Sequence, residues 1–479
     1  MRRLLSAICC CAALVAAAQR PLPITGSWLN LFYQDERNKY TNPEAVDNTD
    51  PELWRTKIDQ MHRMGIEYVV LMAVANDGKA DYPSGIMPPA YPADRESPVE
   101  AILDQAAQNG MHVFLSIGWA ENQDDNLKRP EILNRQLEIM DELASLYGTH
   151  EAMYGWYLPV EDCLGPVLPE TSVKAVNRLV DKAHKLTPGK KTMISPYGFF
   201  CSDFDNPKFG ERISQLKVDI IAYQDEVGCV REEFPLPRLR ENWKKIKAIH
   251  DKTGIELWAN CELFTWEKDL NSRKSALIPA AQGRITGQLQ AATDGGVSRI
   301  ISFASCGIFD DGNDNYVLGQ PGVSARAYNE YLRWLSGDEK YLLLEKSMSG
   351  TLVNEAKNDS DPLFDGIYGG ENPSDKAWQK LNPGRTDFTV DTKGCRRIFL
   401  RFLDCHKKGI FLPYKVALSV PDKDGNYSLA EIKDIPHYPN DLHDTWVEGI
   451  LLQIPETEKA RITVMCDGSS LMDEITLLH

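Results

Sequence analysis

The chain has 479 residues, with 53 Lys and Arg against 69 Asp and Glu and a formal charge of −16 at pH 7. That length exceeds one ordinary core but suits a barrel of roughly 250–330 residues followed by a smaller domain. The negative field excludes nucleic acid and anionic membrane surfaces as natural partners and disfavours polyanionic glycans.

The first element is a leader. Met1-Arg2-Arg3 runs into an apolar stretch from Leu4 to Ala18 that closes on Ala16-Ala17-Ala18. A basic start, a short apolar core and small residues at the end predict a secretory signal over residues 1–18. The stretch falls short of the ~20 residues of a membrane-spanning helix, and Cys9 to Cys11 sit too early in it for a lipoprotein site. Losing Arg2 and Arg3 takes the charge from −16 to −18. The expectation is an exported protein, periplasmic or extracellular, with no membrane insertion.

Eight strand-like runs then alternate with helix-like ones: Ile24–Phe32, Ile66–Val74, Met111–Gly118, Met153–Val160, Lys191–Pro196, Val218–Tyr223, Ile255–Asn260 and Arg299–Ala304. They are nearly continuous in apolar and β-branched residues, as parallel strands buried on both faces should be. Between them fall amphipathic helices, among them one opened by Asp50-Pro51-Glu52, one opened by Ser97-Pro98-Val99-Glu100, and one read over Ile278–Thr293. Gly65, Gly110, Gly254 and Gly296 each stand just before a strand, which fits the turns at the bottom of a barrel. The predicted fold is a (β/α)8 TIM barrel over residues 19–340. A doubly wound open sheet is disfavoured, because no Gly-rich phosphate fingerprint follows the first strand.

Past about residue 340 the pattern changes. Helices vanish from Lys357 onward, and Ile398–Leu403, Lys415–Val420, Glu448–Gln453 and Ala460–Met465 predict a β-sandwich over residues 341–479. Eight cysteines remain outside the leader, five in the barrel and three in the tail, with no CxxC pair. That argues against zinc and redox motifs and predicts at most one or two disulfides whose pairing the sequence leaves open.

Two glutamates each follow an apolar run: Glu161 after Met153–Val160, and Glu262 after Ile255–Cys261. If those runs are strands four and seven, both carboxyls stand at the C-terminal rim, where barrel enzymes keep their chemistry. Cleaving an acetal needs one carboxyl to protonate the departing oxygen and another to meet the electron-poor carbon, ~5–5.5 Å apart in retaining enzymes. Strand six ends in Tyr223-Gln224-Asp225-Glu226, and Asp225 or Glu226 is a rival partner for Glu161. Aromatic platforms suit the C–H faces of sugars; Trp119 and Trp266 follow their strands and are subsite candidates, while Trp156 and Trp258 lie inside strands and read as core. Alternation along strand one aims Asn30 into the mouth, and Asn260 precedes Glu262 on its strand. His62, His112, His150, His184 and His250 fall on helices or at strand starts, no histidine cluster supports a metal hydrolase, and no Gly-x-Ser-x-Gly elbow supports an esterase. Asp310-Asp311-Gly312-Asn313-Asp314 resembles a calcium loop but reads as a solvated turn.

Through Trp156-Tyr-Leu-Pro-Val-Glu161 and Trp258-Ala-Asn-Cys-Glu262, the barrel resembles the clan A glycoside hydrolases, closest to a glycosidase-like barrel family of secreted Bacteroidetes proteins. The resemblance implies Glu161 as acid/base, Glu262 as nucleophile and Tyr223 as a partner of the nucleophile, with no cofactor for catalysis and an oligo- or polysaccharide as substrate. Val160 departs from it, since clan A enzymes commonly carry Asn there to hold the sugar 2-hydroxyl. Either Asn260 takes over the hydroxyl or the sugar is gripped differently, and Gln224 and Asp225 read as a hydrogen-bonding shell that positions substrate. The tail resembles the discoidin (coagulation factor 5/8 C-type) galactose-binding-like sandwich through Leu363-Phe-Asp-Gly366, Phe388-Thr-Val-Asp391, Arg397-Ile-Phe-Leu400 and Met472-Asp-Glu-Ile475. That resemblance implies a structural Ca2+ near Asp365 and Glu474. The expectation is a retaining glycosidase acting on a neutral glycan; the alternative is a non-catalytic glycan-binding protein that uses the same cleft and sandwich.

Overall fold

The computed structural model describes residues 20–31, 42, 46–72, 74–118, 129–230, 235–267, 276–436, 438 and 445–479. The leader read over residues 1–18 lies outside them. Eight parallel strands close into a barrel: β1 (Ile24–Asn30), β2 (Tyr68–Met72), β3 (His112–Ser116), β4 (Met153–Tyr157), β5 (Lys191–Ile194), β6 (Ile220–Gln224), β7 (Glu256–Glu262) and β8 (Arg299–Phe303). Each pairs with its neighbour in sequence, and β8 pairs back onto β1 through Ile24↔Ile300 and Ser27↔Ser302. Outside the ring lie α1 (Pro51–Arg63), α2 (Pro98–Gln108), α3 (Pro130–Tyr147), α4 (Glu170–Leu186), α5 (Pro207–Ser214), α6 (Leu236–His250), α7 (Gln282–Asp294) and α8 (Val323–Leu335).

Local chemistry sets the helix starts. The Asp50 carboxylate accepts from the Glu52 N–H at 3.0 Å, with Pro51 in the first turn. Ser97 accepts from the Glu100 N–H at 3.2 Å and donates to the Glu100 carboxylate at 2.8 Å, so one side chain serves each end of the pair. Such a cap stabilises by ~1 kcal/mol. At the other end, Gly65 and Gly110 take φ of +79° and +67°, a conformation side chains resist, and turn the chain into β2 and β3.

The strands sort their residues by twos. Along β7, Leu257, Ala259 and Cys261 join the layer under the helices, whereas Trp258 joins the lumen cluster with Trp28, Tyr68, Phe114 and Tyr157. Tyr68 and Trp258 meet edge to face at 5.3 Å, and Trp28 and Tyr157 at 5.6 Å, so the barrel's interior is filled with aromatic rings. Asn260 and Glu262 continue the lumen-facing series above this floor. Trp156 lies in the outer layer and donates its indole N–H to Thr187 at 2.8 Å.

Two details differ from the sequence reading. Leu277–Pro279 is not the start of α7 but a strand, antiparallel to Phe264–Trp266. Pro279 pushes Ile278 out of the helical region and delays the helix to Gln282. The acidic stretch after β8 is not a solvated turn either. Asp310 is buried against Lys57 at 2.6 Å and accepts from the Gly319 N–H, while Asp311 and Asp314 take Arg63 at 3.3 and 2.8 Å. These pairs pin the loop to α1.

Beyond α8, a helix α9 (Glu339–Met348) packs Leu343 and Leu344 against Phe399, Leu403 and Val447 of the tail. The tail is a sandwich of two antiparallel sheets built from β9 (Gln379–Leu381), β10 (Gly384–Asp391), β11 (Arg397–Cys405), β12 (Lys415–Pro421), β13 (Tyr427–Asp434), β14 (Thr445–Gln453), β15 (Lys459–Cys466) and β16 (Ser470–Leu478). One sheet runs β9-β16-β11-β14 and the other β10-β15-β12-β13. Ile398, Leu400, Leu418, Leu452, Ile462 and Leu477 fill the space between them. The sandwich leans on the barrel through Trp446 and Tyr438 against Ala281, with the Tyr438 hydroxyl 3.1 Å from Glu330. No helix among the described residues is long and apolar enough to cross a membrane. All eight cysteines of the described residues are free thiols.

Candidate active site

At the C-terminal rim a cavity of about 180 Å3 opens over the aromatic floor. Glu161 and Glu262 both line it. Trp28, Phe264, Trp266 and Phe303 supply aromatic wall, Met72 and Leu277 aliphatic wall, and Gln224, Asn260 and Cys229 the remaining polar edge.

Glu262 is the last residue of β7, so strand alternation alone aims it into the mouth. Its Oε2 accepts from the Cys229 N–H at 2.8 Å. That contact needs Gly228, where a Cβ would lie 3.0 Å from the same oxygen and 2.7 Å from the Phe264 carbonyl. Burial first, then the charges of Asp225 and Glu226, push the Glu262 carboxyl up to about 8, with the Cys229 N–H pulling the other way. Glu161 stands four residues beyond β4 and accepts from the Tyr157 hydroxyl at 3.4 Å. Solvent reaches its side chain from the cavity while protein crowds it from behind. That crowding pushes its carboxyl up to about 7, opposed by the Tyr157 hydrogen bond.

Other expected residues divide by where their strands aim them. Gln224 and Asn260 face the cavity and are tied to the end of β5: Gln224 Nε2 donates to the Ser195 carbonyl at 2.9 Å, and Asn260 Nδ2 to Ser195 Oγ at 3.2 Å. Asn260 Oδ1 is buried without a hydrogen-bond partner. Trp266 lines the wall. Asn30 follows Trp28 by two and shares its side of β1; its carboxamide is buried with neither polar atom hydrogen-bonded. Trp119 lies outside the described residues.

Tyr223 and Asp225 require correction. Tyr223 points away from the cavity into the layer beneath the helices, with its hydroxyl 2.9 Å from His250 Nε2. The reason is phase: β6 ends at Gln224 rather than Tyr223, so Ile220, Ala222 and Gln224 face inward and Tyr223 outward. Asp225 is fully buried with its carboxylate engaged by the protein. It accepts from the Glu262 N–H at 3.0 Å, the Val227 N–H at 3.2 Å and Gln288 Nε2 at 2.7 Å. It holds the Glu262 backbone and does not reach the cavity. Glu226, the other rival, accepts from the Phe200 N–H at 3.3 Å and anchors the loop after β5.

Met72 and Phe303 escaped the sequence reading although each ends a strand, where extended alternation would have found them. Cys229 and Leu277 come from a short helix and a hairpin with no such signal.

In the tail, Glu474 bonds the backbone of Gly366, the residue after Asp365. Glu474 Oε1 accepts from Asn354 Nδ2 at 2.6 Å and the Gly366 N–H at 3.1 Å, while its buried Oε2 has no partner. Burial pushes this carboxyl up to about 7, with the charges of Asp365 and Asp473 adding to the effect against those two donors. Among the described residues no three His, Cys, Asp or Glu converge as a metal group. The buried, unpartnered Glu474 oxygen, in the field of the Asp365 charge, is of the hard-oxygen type that Ca2+ takes.

Solved structures that match the chain include glycoside hydrolases. A candidate alpha-L-fucosidase from Bacteroides thetaiotaomicron shares 18% identity, over 70% of this chain and 99% of that one, at a TM-score of 0.54. An endo-1,4-beta-mannanase from Rhizomucor miehei shares 13%, over 59% and 86%, at 0.41. A family 5 glycoside hydrolase from Bacteroides vulgatus shares 11%, over 87% and 86%, at 0.39. At 18% identity the first of these is a likeness of fold. No curated protein sequence matches the chain. A family model described as a domain of unknown function (DUF4434) matches residues 24–315, more than half of the chain, and the protein belongs to that family.

Proposed function

We propose that the protein is an exported, retaining glycoside hydrolase acting on neutral glycans. One observation carries the reading: two glutamates from strands four and seven line a single cavity walled by aromatic rings, and both carboxyls are raised towards neutrality. In the first step Glu161 gives its proton to the departing glycosidic oxygen while a Glu262 carboxylate oxygen bonds the anomeric carbon. In the second, Glu161 removes a proton from a water that displaces Glu262 from that carbon. Asn260 and Gln224 line the cavity and are the groups for sugar hydroxyls, with the orphan Asn260 Oδ1 gaining the most from a polar ligand; Asn30, buried and not among the lining residues, is kept only on the strength of its side of β1. Trp266 is a stacking wall, and Trp119 is kept as a second platform on the strength of its place after β3.

Burial raises both carboxyls in the ligand-free site, and a second reading exchanges their roles. Azide rescue separates the two. Glu262→Ala with azide is expected to give a glycosyl azide of inverted configuration, and Glu161→Ala with azide one of retained configuration. The opposite pattern assigns Glu262 as the acid. Release of no product from a broad panel of neutral glycans, with binding retained, would instead support the glycan-binding alternative. The tail is proposed to be a discoidin-like module in which Asp365 and Glu474 help hold a structural Ca2+. Calcium is then expected to raise the melting temperature of the native chain but not of Glu474→Gln, and an equal response of both rules it out.

A further inference from the structure

The loop carrying Glu161 continues through Cys163, Leu164, Gly165 and Pro166, and lies alongside the loop after β5, from Tyr197 to Asp203. The two loops are already tied by backbone bonds: the Leu164 N–H donates to the Tyr197 carbonyl at 2.8 Å and the Asp203 N–H to the Pro166 carbonyl at 3.0 Å. Between these ties the sulfurs of Cys163 and Cys201 stand 3.9 Å apart. They occupy a notch that two glycines leave open. A Cβ at Gly165 would lie 2.3 Å from the Cys201 sulfur, and one at Gly198 2.7 Å from the Cys163 sulfur. Each thiol donates weakly to a carbonyl of its own loop, Cys163 to Gly165 at 3.8 Å and Cys201 to Gly198 at 3.5 Å, so neither is locked by a strong partner. Cys201 is exposed and Cys163 half-buried, whereas Cys261, Cys306, Cys395, Cys405 and Cys466 are buried.

We infer that Cys163 and Cys201 form a disulfide that staples the Glu161 loop to the loop after β5. A disulfide needs sulfurs ~2.05 Å apart, so ~1.9 Å of closure remains, a distance side-chain rotation covers while the backbone ties hold. The chemistry is exchange with an external disulfide. The exposed Cys201, as thiolate, attacks one sulfur of that disulfide and expels the other as a thiolate, leaving a mixed disulfide. Cys163, as thiolate, then attacks the Cys201 sulfur and expels the second external thiolate. The two thiol protons pass to the two leaving thiolates; the protein loses two electrons and the external disulfide gains them. The bond fixes the chain two residues beyond Glu161, and it belongs to an oxidising compartment, as the exported reading requires. The geometric argument stands whether or not Glu161 is catalytic.

The test uses the reduced full chain, incubated with oxidised glutathione, alkylated, and digested without reductant. The expected product is a peptide pair joined through residues 163 and 201, lighter by two hydrogens than the free thiols. The melting temperature should rise by roughly 5 °C, reversibly with dithiothreitol. In Cys163→Ser the expected product is a glutathione adduct on Cys201 with no rise, and in Cys201→Ser no rise either. Wild-type protein in which both cysteines are alkylated, or carry glutathione without the joined peptide, overturns the inference.

Discussion

Replacing Glu262 by Gln isolates the cost of an acidic group buried beside two others. Gln keeps the oxygen that accepts from the Cys229 N–H and removes only the ionisation. The folded carboxyl titrates at about 8 against an ordinary 4.5. Below 4.5 it is protonated in folded and unfolded chains alike, and its favourable contribution is complete. As pH rises, the unfolded chain gives up the proton while the folded one retains it, so folding loses free energy until the folded group ionises near 8. Each unit of difference is ~1.4 kcal/mol, which makes the total about 5 kcal/mol before the site relaxes. The variant should therefore match wild type near pH 4, exceed it by ~2–5 kcal/mol near pH 9, and have lost glycan turnover throughout. Urea melts of both proteins at several pH values, followed by tryptophan fluorescence, measure the difference. Parallel stability curves between pH 5 and 9 would refute the idea that Glu262 is a buried, tightly held acid.

Glu161→Gln should lower kcat/KM on an unactivated glycoside by ~10²–10⁴, yet spare kcat/KM on an aryl glycoside whose leaving group needs no proton, while kcat on the aryl glycoside falls because the water step still needs the base; equal losses of kcat/KM on both would deny it the acid role. Tyr223→Phe strips His250 Nε2 of its partner and should cost ~1–2 kcal/mol in a urea melt, with kcat and KM unchanged because the ring never meets the cavity. Asp225→Ala leaves the Glu262 and Val227 N–H groups unpaired and takes one of the two acceptors of Gln288 Nε2, which keeps the Glu262 carbonyl, and should cost ~2–4 kcal/mol. Asp225→Asn, which keeps one acceptor, should cost less in the same melt.

The barrel was legible because two-sided burial makes parallel strands continuous in apolar residues, and capped helices with glycine stops separate them. The sandwich was half legible. β11, β12, β14 and β15 have apolar runs, but β13 shows polar residues at its exposed edge, and β16 carries Asp473 and Glu474 inside a buried strand. Pairs such as Arg401 with Asp473, 2.5 Å apart, make that burial tolerable, and no local pattern announces a partner 72 residues away.

Sequence by itself determined the order of elements, the rim position of Glu161 and Glu262, and the aromatic character of the mouth. Each of these follows from composition and spacing along one stretch of chain. Tertiary structure alone decided the phase at the end of β6, which turned Tyr223 toward His250 and left Gln224 at the cavity. It also decided that Asp225 would be consumed in holding Glu262, and that Cys163 would meet Cys201. These outcomes depend on how neighbouring strands register when the ring closes, since a single-residue shift moves every side chain of a strand to its opposite face.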